Sequence, residues 1–123
     1  FDTIFGGYIS TFFKPSITGW NTYKKDGDSY LFRLTPQLSI FKQRNINGDN
    51  AIYYDRKNLC VFGKGYDLFI SNKCNNNRFS YGFSKSYSFD KGSDLVGGND
   101  VLNTAYFKVI DIEVFEIHFC KWC

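Results

Sequence analysis

No segment of this chain keeps a helical period for more than about two turns, and what recurs instead is a short alternating run closed by Gly, Asn, Asp or Pro. A chain punctuated this way must build its core from short strands. Tyr30, Phe32 and Leu34 alternate with Leu31 and Arg33, and Thr35-Pro36 then forces a turn before Leu38 and Ile40 resume the pattern. That predicts a hairpin-like pair of strands. Asn47-Gly48, inside the polar run 45–50, suits a tight turn with positive φ, and Ala51 to Tyr54 follow as a short strand with residues 55–58 as its exit turn. Residues 3–13 read as a strand interrupted at Gly6-Gly7, where the missing side chains permit a bulge or close backbone approach. Residues 14–28 have loop composition around Pro15, Gly19 and Gly27, with Trp20 expected to pin the loop to the core.

Residues 59–62 lead into Gly63-Lys64-Gly65, after which Tyr66, Leu68 and Ile70 face one way and Asp67 and Phe69 the other. A lone Gly-x-Gly is weak evidence for phosphate binding. Nucleotide loops need a helix after the glycines, so that its first amides point at phosphate, and here a strand follows. A hairpin corner is the expected role. Residues 71–77 form a polar bend, 78–83 another strand, and 84–100 a connector rich in Gly, Ser and Asp, interrupted by Tyr87, Phe89 and Leu95. The last run carries Ile110, Ile112 and Val114 on one face and Phe107, Val109, Phe115, Ile117 and Phe119 on the other. Apolar residues on both faces predict a central strand covered on both sides.

At 123 residues the chain is expected to form a single domain over 1–123, large enough to bury roughly two thirds of the surface of its unfolded form. Aromatic residues make up 20% of it, with Phe 14 and Tyr 9, so the core must be built largely from rings, which favours sheets. Phe, Tyr, Asn, Lys and Ile also rise together in AT-rich genomes, an equally good source of the same bias. The chain lacks a starting Met and opens inside a strand, so we expect a portion of a longer protein. It shows no signal peptide and no apolar run of about 18 residues, so no membrane insertion is expected.

Net charge is +3, with acids and bases scattered singly; the densest basic cluster is Lys24 and Lys25, too little to neutralise a row of phosphates, so nucleic acid is not an expected partner. Of the four cysteines, only Cys120 and Cys123 form a close pair, whereas a structural zinc site takes two such pairs. Cys60, Cys74, Cys120 and Cys123 are therefore read as free, partly buried thiols of cytosolic type, with no metal and no cofactor. Asp111 and Glu113 share a face with apolar neighbours and could be partly dehydrated, as an acid/base pair or a metal site. Against that, His118 falls on the opposite face and no second acidic motif accompanies them. Anchoring of loops is the expected role, and no catalytic residue is assigned.

The order of the pieces adds a further reading. Residues 4–10 (IFGGYIS), Trp20, residues 28–34 (DSYLFRL), 51–54 (AIYY), 62–70 (FGKGYDLFI) and 113–117 (EVFEI) follow one another as in the TLDc domain of the oxidation-resistance protein family, which the chain resembles from about residue 4 to 117. Gly6, Gly7, Phe62, Gly63, Gly65, Asp67, Glu113 and Phe115 carry the resemblance. Two departures stand out: the family's N-terminal helical part has no counterpart, and residues 75–83 (NNNRFSYGF) replace a glycine-rich strand with an acidic end, leaving Ser84 there.

The resemblance implies a mainly β fold, a two-sheet antiparallel sandwich with few short helices. It also implies a non-enzymatic, cytoplasmic regulatory domain linked to oxidative-stress resistance and to binding the vacuolar proton ATPase, membrane-peripheral only through that partner. The alternative is a structural docking component of a large cytoskeletal or ciliary assembly in a protist. Either way contacts are expected on loops: Trp20, Lys24 and Lys25; Asn75, Asn76, Asn77 and Arg78; and the stretch 94–100 beginning at Asp94.

Overall fold

The computed structural model describes residues 3–10, 22–45, 47–55 and 57–115. Within them the chain forms ten strands and one short helix, in the order β1 (Ile4–Tyr8), β2 (Thr22–Lys24), β3 (Tyr30–Thr35), β4 (Ser39–Lys42), β5 (Ile52–Tyr54), β6 (Cys60–Phe62), β7 (Leu68–Ile70), β8 (Ser80–Phe83), α1 (Ser93–Val96), β9 (Asp100–Val101) and β10 (Thr104–Phe107). The expected two-sheet antiparallel architecture is present. A three-stranded sheet runs β1-β3-β4 and a seven-stranded sheet runs β2-β5-β6-β7-β8-β10-β9.

Register explains how they pack. Gly7, Leu31 and Phe41 lie in one cross-strand row of the small sheet, and Leu31 is fully buried. From the large sheet Ile52, Tyr54, Phe62, Leu68 and Ala105 join the same core, together with Tyr87, Phe89, Leu95 and Val96. The two glycines of β1 are there for rings. A Cβ on Gly7 would come within 2.4 Å of the Phe62 ring across the sandwich, and one on Gly6 within 2.9 Å of Phe32, its partner in the ladder. Close approach, rather than a bulge at the glycines, is therefore their role; the register shift falls one step earlier, between Ile4 and Phe5.

The hairpin from β3 to β4 turns at a cis Thr35-Pro36 bond, and Gly48 has φ +67 in the turn before β5, both at the places the sequence indicated. Three expectations need correction. The loop 14–28 contains β2, which pairs with β5 through Tyr23 and Tyr53; Trp20 lies outside the described residues. The connector 84–100 is not a surface loop, because Tyr87, Phe89, Leu95 and Val96 sink into the core and α1 packs on β8 and β10. The last strand ends at Phe107: β10 pairs with Ser80 at that point, and β8 goes no further because residues 71–79 turn away. Residues 108–115 run on without a ladder, with Ile110 83%, Val114 91% and Phe115 75% exposed, so this is no covered central strand. Asp111 and Glu113 are exposed in it rather than dehydrated.

Candidate functional site

The hairpin joining β6 to β7 is built around a carboxylate. Gly63 has φ +85, and a Cβ there would fall 2.2 Å from Asp67 Oδ1, so both the backbone and the space require glycine. Asp67 does not begin the outward face of β7; the turn swings its side chain inward, where it is fully buried. Its Oδ2 accepts the amides of Lys85, Ser86 and Tyr87 at 2.8, 2.8 and 2.9 Å, while Oδ1 has no hydrogen-bond partner. Burial pushes the Asp67 carboxyl above its ordinary range, and the three amides oppose that shift without cancelling it.

This anchor folds residues 84–89 into a strap across the end of the sandwich. Tyr87 forms an isolated antiparallel bridge with Gln43 just beyond β4, and the amides of Arg44 and Ser88 donate to the carbonyls of Ser86 and Lys42 at 2.8 and 2.9 Å. Beneath it lies a buried polar chain. Gln43 Nε2 lies 2.6 Å from the Asp26 carbonyl and 2.7 Å from Ser29 Oγ, Ser29 Oγ lies 2.8 Å from the Tyr87 hydroxyl, and that hydroxyl donates to the Ala51 carbonyl at 3.0 Å. Gln43 donates twice and Tyr87 donates to Ala51, while the one Ser29 hydroxyl proton is shared between the Asp26 carbonyl at 3.0 Å and the Tyr87 oxygen. Burial raises the Tyr87 hydroxyl's pKa far above the usual phenol range, so it remains a donor.

Where the strap meets the hairpin, a pocket of about 210 Å³ opens, lined by Gln43, Arg44, Asn45, Asn50, Lys64, Lys85 and Ser86. Its parts are tied together. The Lys64 amide donates to Ser86 Oγ at 2.8 Å, and a Cβ on Gly65 would meet Lys85 Cβ at 2.7 Å, so the hairpin tip lies flat against the strap. Arg44 Nη2 donates to Ser84 Oγ at 3.0 Å and to the Phe89 carbonyl at 2.8 Å, which fixes the guanidinium. Ser84 Oγ itself donates to the Phe89 carbonyl.

On the outer face of the large sheet six rings form a continuous row. Tyr23, Tyr53, Tyr66, Phe69, Tyr81 and Tyr106 follow one another with centroids 4.9, 5.5, 5.7, 5.1 and 5.6 Å apart. Val61 is in register with Phe69 on that face and is completely buried although it lies outside the core cluster. The row thus acts as a second, thin apolar layer, and Tyr106 at its end is 50% exposed.

The contact residues expected from the sequence are spread over both ends of this sheet. Lys24 is paired in register with Ile52 and Ile52 with Phe62, so Lys24 and Lys25 lie at the end that carries the hairpin tip. Both are exposed, and Lys25 Nζ is 3.9 Å from Asp49 Oδ1. Residues 71–79 join β7 to β8 at the opposite end, where Asn75, Asn76 and Arg78 are exposed. Asn77 is not free to meet a partner, because it holds its own loop: Oδ1 accepts Ser71 Oγ and the Phe79 amide, and Nδ2 donates to the carbonyls of Asn72 and Lys73. Asp94 is also engaged, its Oδ2 accepting the amides of Asp90 and Lys91 ahead of α1. Gly6, Gly7, Gly63 and Gly65 sit where a Cβ would meet a neighbour, Phe62 and Asp67 are buried, and Glu113 and Phe115 lie on the exposed extension. Sequence reasoning missed Arg44 and Lys85, which line the pocket between hairpin and strap together with Lys64.

Cys60 is half-buried and its thiol is pushed up to about 12 by burial; Cys74 is buried, and both are free. Cys120, Cys123 and His118 lie outside the described residues. Among the described residues no cluster of His, Cys, Asp and Glu could hold a metal ion, and no helix is long and apolar enough to cross a membrane.

Two antiparallel sheets, with a glycine-flanked hairpin and a strap held by Asp67 and Tyr87, define a β-sandwich. The chain belongs to the TLDc domain family, whose model matches residues 1–118, and this family is linked to oxidation resistance. Neither the curated proteins nor the solved structures compared with the chain gave a match.

Proposed function

We propose that this is a non-enzymatic protein-interaction domain that contributes to oxidative-stress resistance through a protein partner, the vacuolar proton ATPase. The observation that supports this reading is the ring row from Tyr23 to Tyr106. Tyrosines supply large, stiff contact area with a polar tip, and they are enriched where one protein surface meets another. A sheet face bearing six adjacent rings, half of its end ring open to solvent, suits a macromolecular partner better than a small substrate.

The test is co-purification. The chain carrying an affinity tag is expected to recover subunits of the ATPase catalytic sector from native lysate, and a Tyr81→Ser, Tyr106→Ser double variant to lose them while keeping its far-UV circular dichroism. Recovery of no ATPase subunit by the unaltered chain rejects the named partner. Equal recovery by the double variant rejects the ring row as its surface.

A further inference from the structure

We propose that Tyr53 and Tyr66 form a site of oxidative cross-linking, where a one-electron oxidant converts two neighbouring phenols into a dityrosine that ties β5 to the hairpin between β6 and β7. The ring row divides at Phe69, which has no phenolic proton to lose and so cannot become a phenoxyl radical. On one side stand Tyr23, Tyr53 and Tyr66, on the other Tyr81 and Tyr106.

Coupling needs particular atoms. A phenoxyl radical carries its spin on the oxygen and on the ring carbons ortho and para to it. The para carbon bears the rest of the side chain, so the new bond forms ortho, at the hydroxyl-bearing end. Tyr53 and Tyr66 have centroids 5.5 Å apart and planes inclined by 31°. The Tyr66 phenol is raised in pKa first by burial and then by the Tyr53 and Tyr23 phenols and Asp55, so the hydroxyl ends of these rings, and not only their bodies, stand near one another. The other pairs fit less well. Tyr81 and Tyr106 cross at 63°, which sets a ring edge against a ring face. Tyr23 is nearer to Tyr53, at 4.9 Å, but the planes meet at 58° and its hydroxyl donates to the Lys64 carbonyl at 3.1 Å, which holds that ring where it is.

The backbone fixes both partners. Tyr53 is paired with Tyr23 in the β2–β5 ladder, and Tyr66 takes φ +58 with its amide donating to the Gly63 carbonyl at 3.1 Å, a turn that lays its ring back beside Phe69 on the outer face. Both are half-buried, so a small oxidant and water reach them. Holding the two groups together raises their effective concentration far above that of a second chain in dilute solution, so the bond forms within one chain.

The step balances. Each phenol gives one electron to the oxidant and its hydroxyl proton to water; the two radicals join Cε to Cε, and the hydrogens on those carbons then move to the oxygens, restoring two phenols. Two electrons and two protons leave in all, and no backbone bond breaks. The domain thereby absorbs two oxidising equivalents and gains one staple across the outer face of the large sheet. This is independent of the ATPase, because it needs neither Tyr81 nor Tyr106.

The experiment illuminates the dilute chain with ruthenium tris-bipyridyl and persulfate, a one-electron oxidising pair, and reads dityrosine fluorescence and tryptic peptides. Cleavage after Arg44, Arg56, Lys64 and Lys73 puts Tyr53 on peptide 45–56 and Tyr66 on peptide 65–73. The expected product is these two peptides joined, lighter than their sum by two hydrogen atoms, with fragment ions placing the bond at Tyr53 and Tyr66. Tyr53→Phe and Tyr66→Phe keep the rings and should each lower its yield by about tenfold or more, as should unfolding in urea, whereas Tyr106→Phe should leave it unchanged. Equal yield in urea, bonds that form only between chains, a bond placed on Tyr23 or Tyr54 instead, or a product that survives either phenylalanine replacement overturns the proposal.

Discussion

Replacing Asp67 by alanine tests how much of the fold hangs on one carboxylate. Its Oδ2 takes three amide hydrogens at 2.8, 2.8 and 2.9 Å, and of the three donors the Tyr87 amide belongs to a fully buried residue. An unpaired buried donor costs about 1–3 kcal/mol, and the less buried amides of Lys85 and Ser86, which can turn to water, add about 0.5–1 kcal/mol each. Against this, alanine removes a dehydrated carboxylate whose Oδ1 has no partner, which returns about 1 kcal/mol. The net expectation is a loss of about 2–3 kcal/mol, a large share of the 5–15 kcal/mol typical of a domain. Asp67→Asn keeps one acceptor oxygen and should lose about half as much.

The same carboxylate leaves a signature in pH. Because burial raises its folded pKa above the ordinary 3.8, the native state holds the proton longer than the unfolded chain. Its contribution is therefore fully present below that ordinary value and is lost as pH rises through the folded pKa. Urea unfolding across the acid range, with the m-value checked for constancy, should show this decline in the parent chain and not in Asp67→Asn. An Asp67→Ala variant within about 0.5 kcal/mol of the parent, or an Asn variant with the parent's slope, would refute the reasoning.

Other expectations follow from single contacts. Tyr87→Phe removes the hydroxyl that serves Ala51 and Ser29 and should lower stability by about 1–2 kcal/mol, seen as a drop of several degrees in thermal unfolding. Gly7→Ala drives a methyl to 2.4 Å from the Phe62 ring and should cost about 1–3 kcal/mol in urea unfolding. Gly98→Ala meets no atom closer than 4.0 Å but keeps φ at +76, so it should cost only about 1 kcal/mol, from the backbone alone. The Cys60 thiol, pushed up to about 12, and buried Cys74 should resist iodoacetamide at pH 8 in the folded chain and react once unfolded, as read by peptide mass spectrometry.

The sheets were legible where local chemistry decides the outcome. Gly48 at positive φ and the alternation through Leu31 are written in adjacent residues, and no distant partner is needed to read them. The strap was not legible, because Tyr87, Phe89 and Leu95 are isolated apolar residues in a polar stretch and become core only when the strap folds over the end of the sandwich. The extension 108–115 misled for the converse reason. Its pattern reports β propensity, but pairing depends on whether a neighbour is long enough, and β8 stops at Ser80. The pocket between hairpin and strap draws on residues from 43 to 86, a separation at which spacing carries no information.

The bond from the Lys64 amide to Ser86 Oγ and the three strap amides held by Asp67 fix the hairpin and the strap against each other at set lengths. A residue inserted at the hairpin tip would push Lys64 past the serine, and one inserted into residues 84–86 would pull the serine away. Homologous chains should therefore tolerate insertions and deletions in the bend at 71–79 while the two clasped segments change length only together, if at all.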